Sequence, residues 1–207
     1  MDYKDDLRKS LAEGKLVLFA CPAFDYNKGV MEGCNTLSGL FDRICFVAFL
    51  KPYGSWLKEF KDYNSRRAGF INVKRFFFVD GVEKIPEFQI KTAYPKYLML
   101  PHLALQAIIG SMMGDHVFLY TRTDNNAINQ RILSTVWDKR SQGLIVDSLT
   151  LLREYMGEDD IVRMMHMMTN RLRAFKCAGL FPFTPDKKDI NLIKRIRPLF
   201  DQIVITK

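Results

Sequence analysis

The sequence predicts an α/β fold: a mostly parallel, doubly wound sheet with helices on both faces, a three-layer sandwich. Three observations carry this. Short runs rich in Val, Ile, Leu and Phe alternate with helical periodicity nearly throughout the 207 residues, the pattern that builds βαβ units. Outside residues 84–116, no two such runs are joined by a two-residue hairpin turn. Finally, Leu144-Ile145-Val146 is a short apolar run that stops abruptly at Asp147-Ser148. A buried parallel strand delivering an acid at its carboxyl end has this form, and ligands of open α/β sheets sit at that end.

In chain order, residues 2–13 read as an amphipathic helix stopped by Gly14, since glycine favours the position just past a helix end. A strand follows at 15–22, closed by Pro22, then a helix at 25–40. The second strand, 44–50, leads through the tight turn Lys51–Ser55 to a helix at 56–64 whose Trp56, Leu57, Phe60 and Tyr63 share a face. Trp56 reads as core. A third strand, 75–81, ends in Asp80-Gly81. Residues 84–116 break the alternation: Pro86, Pro95 and Pro101 predict an extended excursion with a short apolar helix at 103–113. A strand at 116–121, a cap at Asp124 and a helix at 126–140 precede the Asp147 strand, which a helical pattern follows. The helix at 158–176 opens with Glu158-Asp159-Asp160, acids suited to the positive end of its dipole. Its stripe of Ile161, Met165, Met168, Leu172 and Phe175 is predicted to pack on the sheet. A strand at 180–183, a basic helix at 187–197 and a strand at 202–206 complete the order. The expectation is one domain over 1–207, with 85–115 inserted in it.

Composition bounds the function. A content of 48% hydrophobic residues suffices for a core. No run of 18 apolar residues predicts a membrane span, and the charged start MDYKDDLRKS has no apolar signal segment. The four cysteines lie apart with no CxxC spacing, and the three histidines are isolated, so neither a zinc site nor a nucleophile–base pair is predicted. Reduced, buried thiols in a cytoplasmic protein are the expectation. The net charge of +8 favours acidic partners.

The candidate site residues follow from the strand ends. Asp147, Ser148 and Asp80 end strands; Lys51 does too, where it could face an anion; Lys28 follows the first strand. Each also has a plainer reading, as a capping residue or a solvated charge. The basic loop Arg66-Arg67 and the basic stretch carrying Lys187, Lys188, Lys194 and Arg195 are the candidates for nucleic acid, against the plainer reading of solvated faces. A phosphate loop of the form GxxxxGK[ST] belongs after the first strand. The turn there reads CPAFDYNKGVMEGCN, with Lys28-Gly29 in reverse order and Asp25 set to repel phosphate.

With those strand ends in view, VAFLKPYGSWLKEF (47–60), FFFVDGVEK (76–84), GLIVDSLTLLREY (143–155) and MMTNRLRAFKCAGLF (167–181) carry a resemblance. The chain resembles the RecA/KaiC-like branch of the P-loop ATPases, and more closely a mainly archaeal group of unknown function with that fold and no Walker A motif. Order and spacing agree over roughly residues 15–206, and 85–115 departs from the pattern. The resemblance implies that Asp147 stands where the family's Walker B acid holds Mg²⁺, with Ser148 beside it. No residues match the phosphate-binding glycines and lysine, and Glu59 falls on a helix, so no counterpart to the catalytic glutamate emerges. Phosphoryl transfer depends on positioning and charge stabilisation, so ATPase activity is not expected. The expected function is therefore a non-catalytic RecA/KaiC-like module acting through a protein partner or self-assembly, with no cofactor required. A divergent ATP/Mg²⁺-binding protein and a nucleic-acid binder are the alternatives.

Overall fold

The computed structural model describes residues 2–66, 69–80, 116–118, 125–154 and 156–206. Its main elements are α1 (Tyr3–Ala12), β1 (Leu16–Ala20), α2 (Tyr26–Leu40), β2 (Ile44–Ala48), α3 (Tyr53–Ser65), β3 (Phe76–Asp80), β4 (His116–Phe118), α4 (Asn125–Asp138), β5 (Gly143–Val146), α5 (Glu158–Ala174), β6 (Ala178–Phe183), α6 (Ile190–Ile196) and β7 (Gln202–Ile205). The described strands form one seven-stranded sheet in the order β4-β3-β2-β5-β6-β1-β7. Every neighbouring pair is parallel.

Strand alternation sorts the core into two layers. Leu16, Leu18, Val47, Leu144, Val146 and Phe181 face one side, packed with Ile132, Met165, Met168, Leu172 and Leu192 of α4, α5 and α6. Val17, Phe19, Phe46, Phe78, Ile145 and Leu180 face the other, with Leu11, Val30, Leu37, Trp56 and Phe60 of α1, α2 and α3. The chain runs β1→β2→β3 toward one edge and β5→β6→β7 toward the other, so right-handed crossovers put the two helix sets on opposite faces. α2 sits close on the sheet because it presents glycines. A Cβ on Gly29 would stand 2.5 Å from Cys21 Sγ, and one on Gly33 2.5 Å from Leu180 Cδ2.

Three helices end in the same hydrogen-bond pattern. After α1, Lys15 N–H donates to Ser10 O (3.1 Å) and Gly14 N–H to Leu11 O (3.0 Å). After α4, Ser141 bonds Val136 O (2.9 Å) and Arg140 bonds Trp137 O (3.0 Å); after α5, Cys177 bonds Leu172 O (2.9 Å) and Lys176 bonds Arg173 O (3.0 Å). These are Schellman ends, whose pivot residue adopts the left-handed region. The pivots are Gly14 at φ 75°, Arg140 at 50° and Lys176 at 54°.

The structure corrects several expected boundaries. α3 starts at Tyr53, not at 56, because Pro52, extended at φ −65° and ψ 156°, already occupies its N-cap. The pattern after β5 is a 3₁₀ turn, Thr150–Glu154, rather than an α-helix; Ser148 Oγ accepts from Leu151 N–H at 3.3 Å and fixes a short turn. β6 starts two residues early, at Ala178, since Gly179 pairs with both Leu16 and Leu144. The basic stretch 187–197 is divided between the 3₁₀ turn Lys187–Asp189, α6 and the start of a second 3₁₀ turn, Arg197–Leu199. The excursion at 84–115, its helix at 103–113 and Asp124 lie outside the described residues.

Candidate functional site

Neighbouring β6 and β1 send their helices to opposite faces, and so do β2 and β5. Such reversals open a crevice at the carboxyl ends of the strands. A cleft of about 960 Å³ lies there, walled by the turn and helix after β1 (Phe24, Asp25, Tyr26, Lys28, Glu32), those after β2 (Lys51, Glu59, Tyr63, Arg66), and the turns after β5 (Ser148, Arg153) and β6 (Asp186, Lys188, Asp189).

Asp147 stands beneath the cleft rather than in its lining. Its side chain is fully buried. Oδ1 accepts from Phe49 N–H at 2.7 Å; Oδ2 accepts from Leu50 N–H at 2.9 Å and from the Trp56 indole N–H at 3.0 Å. The indole reaches it because Trp56 is wedged among aromatics: Phe46 lies 5.2 Å from Trp56 between ring centroids, and 5.3 Å from Phe78. The carboxylate thus ties the turn after β2 to the end of β5. Burial pushes its pKa up to about 7, against the downward pull of those donors.

Tyr26 closes the turn after β1. It is buried, and its hydroxyl donates to Asp147 O and lies 3.4 Å from Pro182 O. One phenol therefore pins together the chain leaving β1, β5 and β6. The turn itself is a 3₁₀ step, Ala23–Asp25, running directly into α2.

The remaining candidates are dispersed along the cleft. Ser148 Oγ lies 3.2 Å from Thr150 Oγ1 and serves its own turn. Lys51 pairs with Glu59 at 2.7 Å and sits 5.0 Å from the Trp56 ring centroid. Lys28 is exposed on the first turn of α2. Asp80 ends β3, with β2 between it and β5, so both aspartates lie at the carboxyl edge on separated strands. Of the nucleic-acid candidates, Arg66 and Lys188 line the cleft. Lys194 and Arg195 belong to α6, where Arg195 pairs with Asp159 at 2.7 Å; Arg67 lies outside the described residues, and Lys187 opens a 3₁₀ turn. Among the described residues, these candidates divide between the cleft and α6.

The sequence reading missed Tyr26 and Arg153. Arg153 clamps two turns, with Asp189 at 2.6 Å, Glu158 at 2.9 Å and Lys188 O at 2.6 Å. Its signal was present in principle, as an arginine facing the acids that open α5, but the buried Asp189 is visible only in three dimensions. The lining mixes Lys28, Lys51, Arg66, Arg153 and Lys188 with Asp25, Glu32, Glu59, Asp62, Asp186 and Asp189, so the cleft has no field of one sign. No group of three or more His, Cys, Asp or Glu among the described residues is placed to hold a metal ion. The four cysteines are free and buried, as expected, and burial raises their pKa values. No described helix is long and apolar enough to cross a membrane.

The parallel sheet, its strand order and the cleft at its carboxyl edge define an α/β protein with a RecA/KaiC-like fold. The structure is similar to that of a KaiC-like protein from the hyperthermophilic archaeon Pyrococcus horikoshii OT3, with a TM-score of 0.57 and 11% identity, over 93% of this chain and 71% of that one. At that identity the likeness is one of fold. Residues 116–206 match a family of unknown function (DUF7504). No curated protein matches the chain.

Proposed function

We propose that this chain is a non-catalytic RecA/KaiC-like module that acts by association, with a protein partner or with further copies of itself. One observation carries the reading. The carboxylate at the position of the resembled Walker B acid is fully buried beneath the cleft with both oxygens held by N–H donors of its own fold, where a metal ligand has to present an oxygen to the ion. The turn after β1 adds to this. It lacks Gly-Lys-Ser/Thr, and Tyr26 seals it against Asp147. Association is supported by β7, an edge strand of the sheet among the described residues, which ends in the exposed Ile205; such an edge offers backbone donors and acceptors to another chain.

The cleft favours a second reading, a nucleotide bound without the usual loop, with Lys28 and Lys51 toward its phosphates. Thermal unfolding with and without ATP and Mg²⁺ separates the two. The proposed function predicts no change in Tm at millimolar nucleotide, and light scattering then gives a mass above that of the monomer, or a partner is recovered with the chain. A ligand at one hundred times its Kd would add about 2.7 kcal/mol of stability. A rise in Tm that disappears in Lys28→Ala overturns the proposal in favour of nucleotide binding.

A further inference from the structure

The edge of the sheet opposite the cleft carries a row of cations. Arg43 precedes β2, Lys74 precedes β3, Arg140 precedes β5 and Lys176 precedes β6, and these four strands are neighbours in the sheet. The loops are joined to one another. Gln142 N–H donates to Arg43 O (2.8 Å), Ala178 N–H to Gln142 O (2.9 Å), and the Arg43 guanidinium to Lys139 O (3.5 Å). At about 4.8 Å between strands, the cations span roughly 14 Å. The nearby acids Asp42 and Asp201 are taken by Arg75 (3.1 Å) and Arg173 (2.9 Å), and Asp138 adds an exposed carboxylate. Arg43, Lys74, Arg140 and Lys176 have no carboxylate partner among the described residues.

Two further features mark this edge. Arg140 and Lys176 occupy the left-handed pivots of α4 and α5, where glycine fits without strain and a side chain does not. The same chain uses Gly14 at the matching position of α1. A cation does gain from the helix dipole, but one on the preceding turn would gain it without the strained backbone. Between these two helix ends stands Trp137. It is 63% exposed, with its ring 4.9 Å from that of Phe175. An exposed indole supported by a second ring, beside a row of cations, is the combination that holds single strands: phosphates on the cations, a base stacked on the ring.

We propose that this edge binds single-stranded nucleic acid, with Arg43, Lys74, Arg140 and Lys176 contacting successive phosphates and Trp137 stacking on a base. The site is separate from the cleft and independent of the reading given for it. The test is the anisotropy of a labelled oligo(dT) with the full chain at several salt concentrations, read together with tryptophan fluorescence. The other tryptophan, Trp56, is fully buried, so quenching reports Trp137. Affinity is expected to fall steeply with salt and the indole to be quenched. The paired substitution Arg140→Gly and Lys176→Gly is expected to keep or raise Tm, weaken binding at least about tenfold, and reduce the salt slope by about 1.4. Trp137→Ala is expected to weaken binding by about 5- to 150-fold with the salt slope kept. No binding at low salt overturns the proposal, as does unchanged affinity in the folded double-glycine variant. Equal binding of polyglutamate without quenching also overturns it, and makes the edge a dock for an acidic polypeptide.

Discussion

Burying a carboxylate is unfavourable, and at Asp147 the N–H donors of the turn after β2 and of Trp56 offset the loss of water without restoring an ordinary pKa. The consequence is a stability that depends on pH with a definite sign. The folded-state value of about 7 lies above the reference of 3.8, so the folded chain holds this proton more tightly than the unfolded one. The stabilisation is fully present below about pH 4 and is lost as pH rises through 7, worth up to about 4 kcal/mol if the whole shift is expressed. Urea unfolding at pH 5 and pH 8 is expected to show the wild type losing stability across that range. Asp147→Asn should be less stable at both pH values, because its NH₂ group meets Leu50 N–H and the Trp56 indole, and should lack that component of the pH dependence. From sequence, Asp147 was recognisable as the special residue of its strand. Its role was not, because the donors that occupy it, Phe49, Leu50 and Trp56, lie 98, 97 and 91 positions away in the chain.

At the scale of elements, α2 and the helix ends hold the information. The helix itself was readable from sequence, and glycine within a helix ordinarily weakens it. In the fold they are contacts. Gly29 lies against Cys21 and Gly33 against Leu180, so the helix can approach the sheet. Gly29→Ala is expected to destabilise by about 1–3 kcal/mol through overpacking, measured by chemical denaturation, although alanine is the better helix former. Tyr26 belongs to the same helix, and so the close seating of α2 also sets the phenol between β5 and β6. The turn after β5 shows the opposite outcome. Its sequence has helical periodicity, but Ser148 bonds the backbone three residues on and a 3₁₀ turn results. Local side-chain chemistry there prevails over periodicity.

For the whole molecule, the parallel arrangement separates two chemistries. Carboxyl ends of the strands meet at a cleft of mixed charge, and amino ends form a basic edge with an exposed indole. The first grouping was legible in part, since Asp147, Ser148 and Lys51 read as strand ends; the second was not, in a chain whose lysines and arginines are spread along its length. β7, a sheet edge among the described residues, bears on assembly: Ile205 is 64% exposed on that strand. Ile205→Lys is expected to lower the mass seen by light scattering while leaving Tm nearly unchanged, since an exposed strand position contributes little to the core. A mass unchanged by the substitution would assign association to another surface. Strand order follows from physics that the sequence carries in part: right-handed crossovers and two-sided burial restrict the topology, and the alternation of runs led to the parallel sheet.

The sequence by itself determined the α/β class, the positions of the buried strands and helices, the buried cysteines and the acid at the end of β5. These depend on periodicity and apolar content, which are local. Only the tertiary structure decided that this acid is held by the turn after β2, that Tyr26 and Arg153 bind the loops around the cleft, and that Arg43, Lys74, Arg140 and Lys176 share an edge. Each of those depends on which strands become neighbours, and adjacency in a parallel sheet is set by crossovers that bring distant segments together.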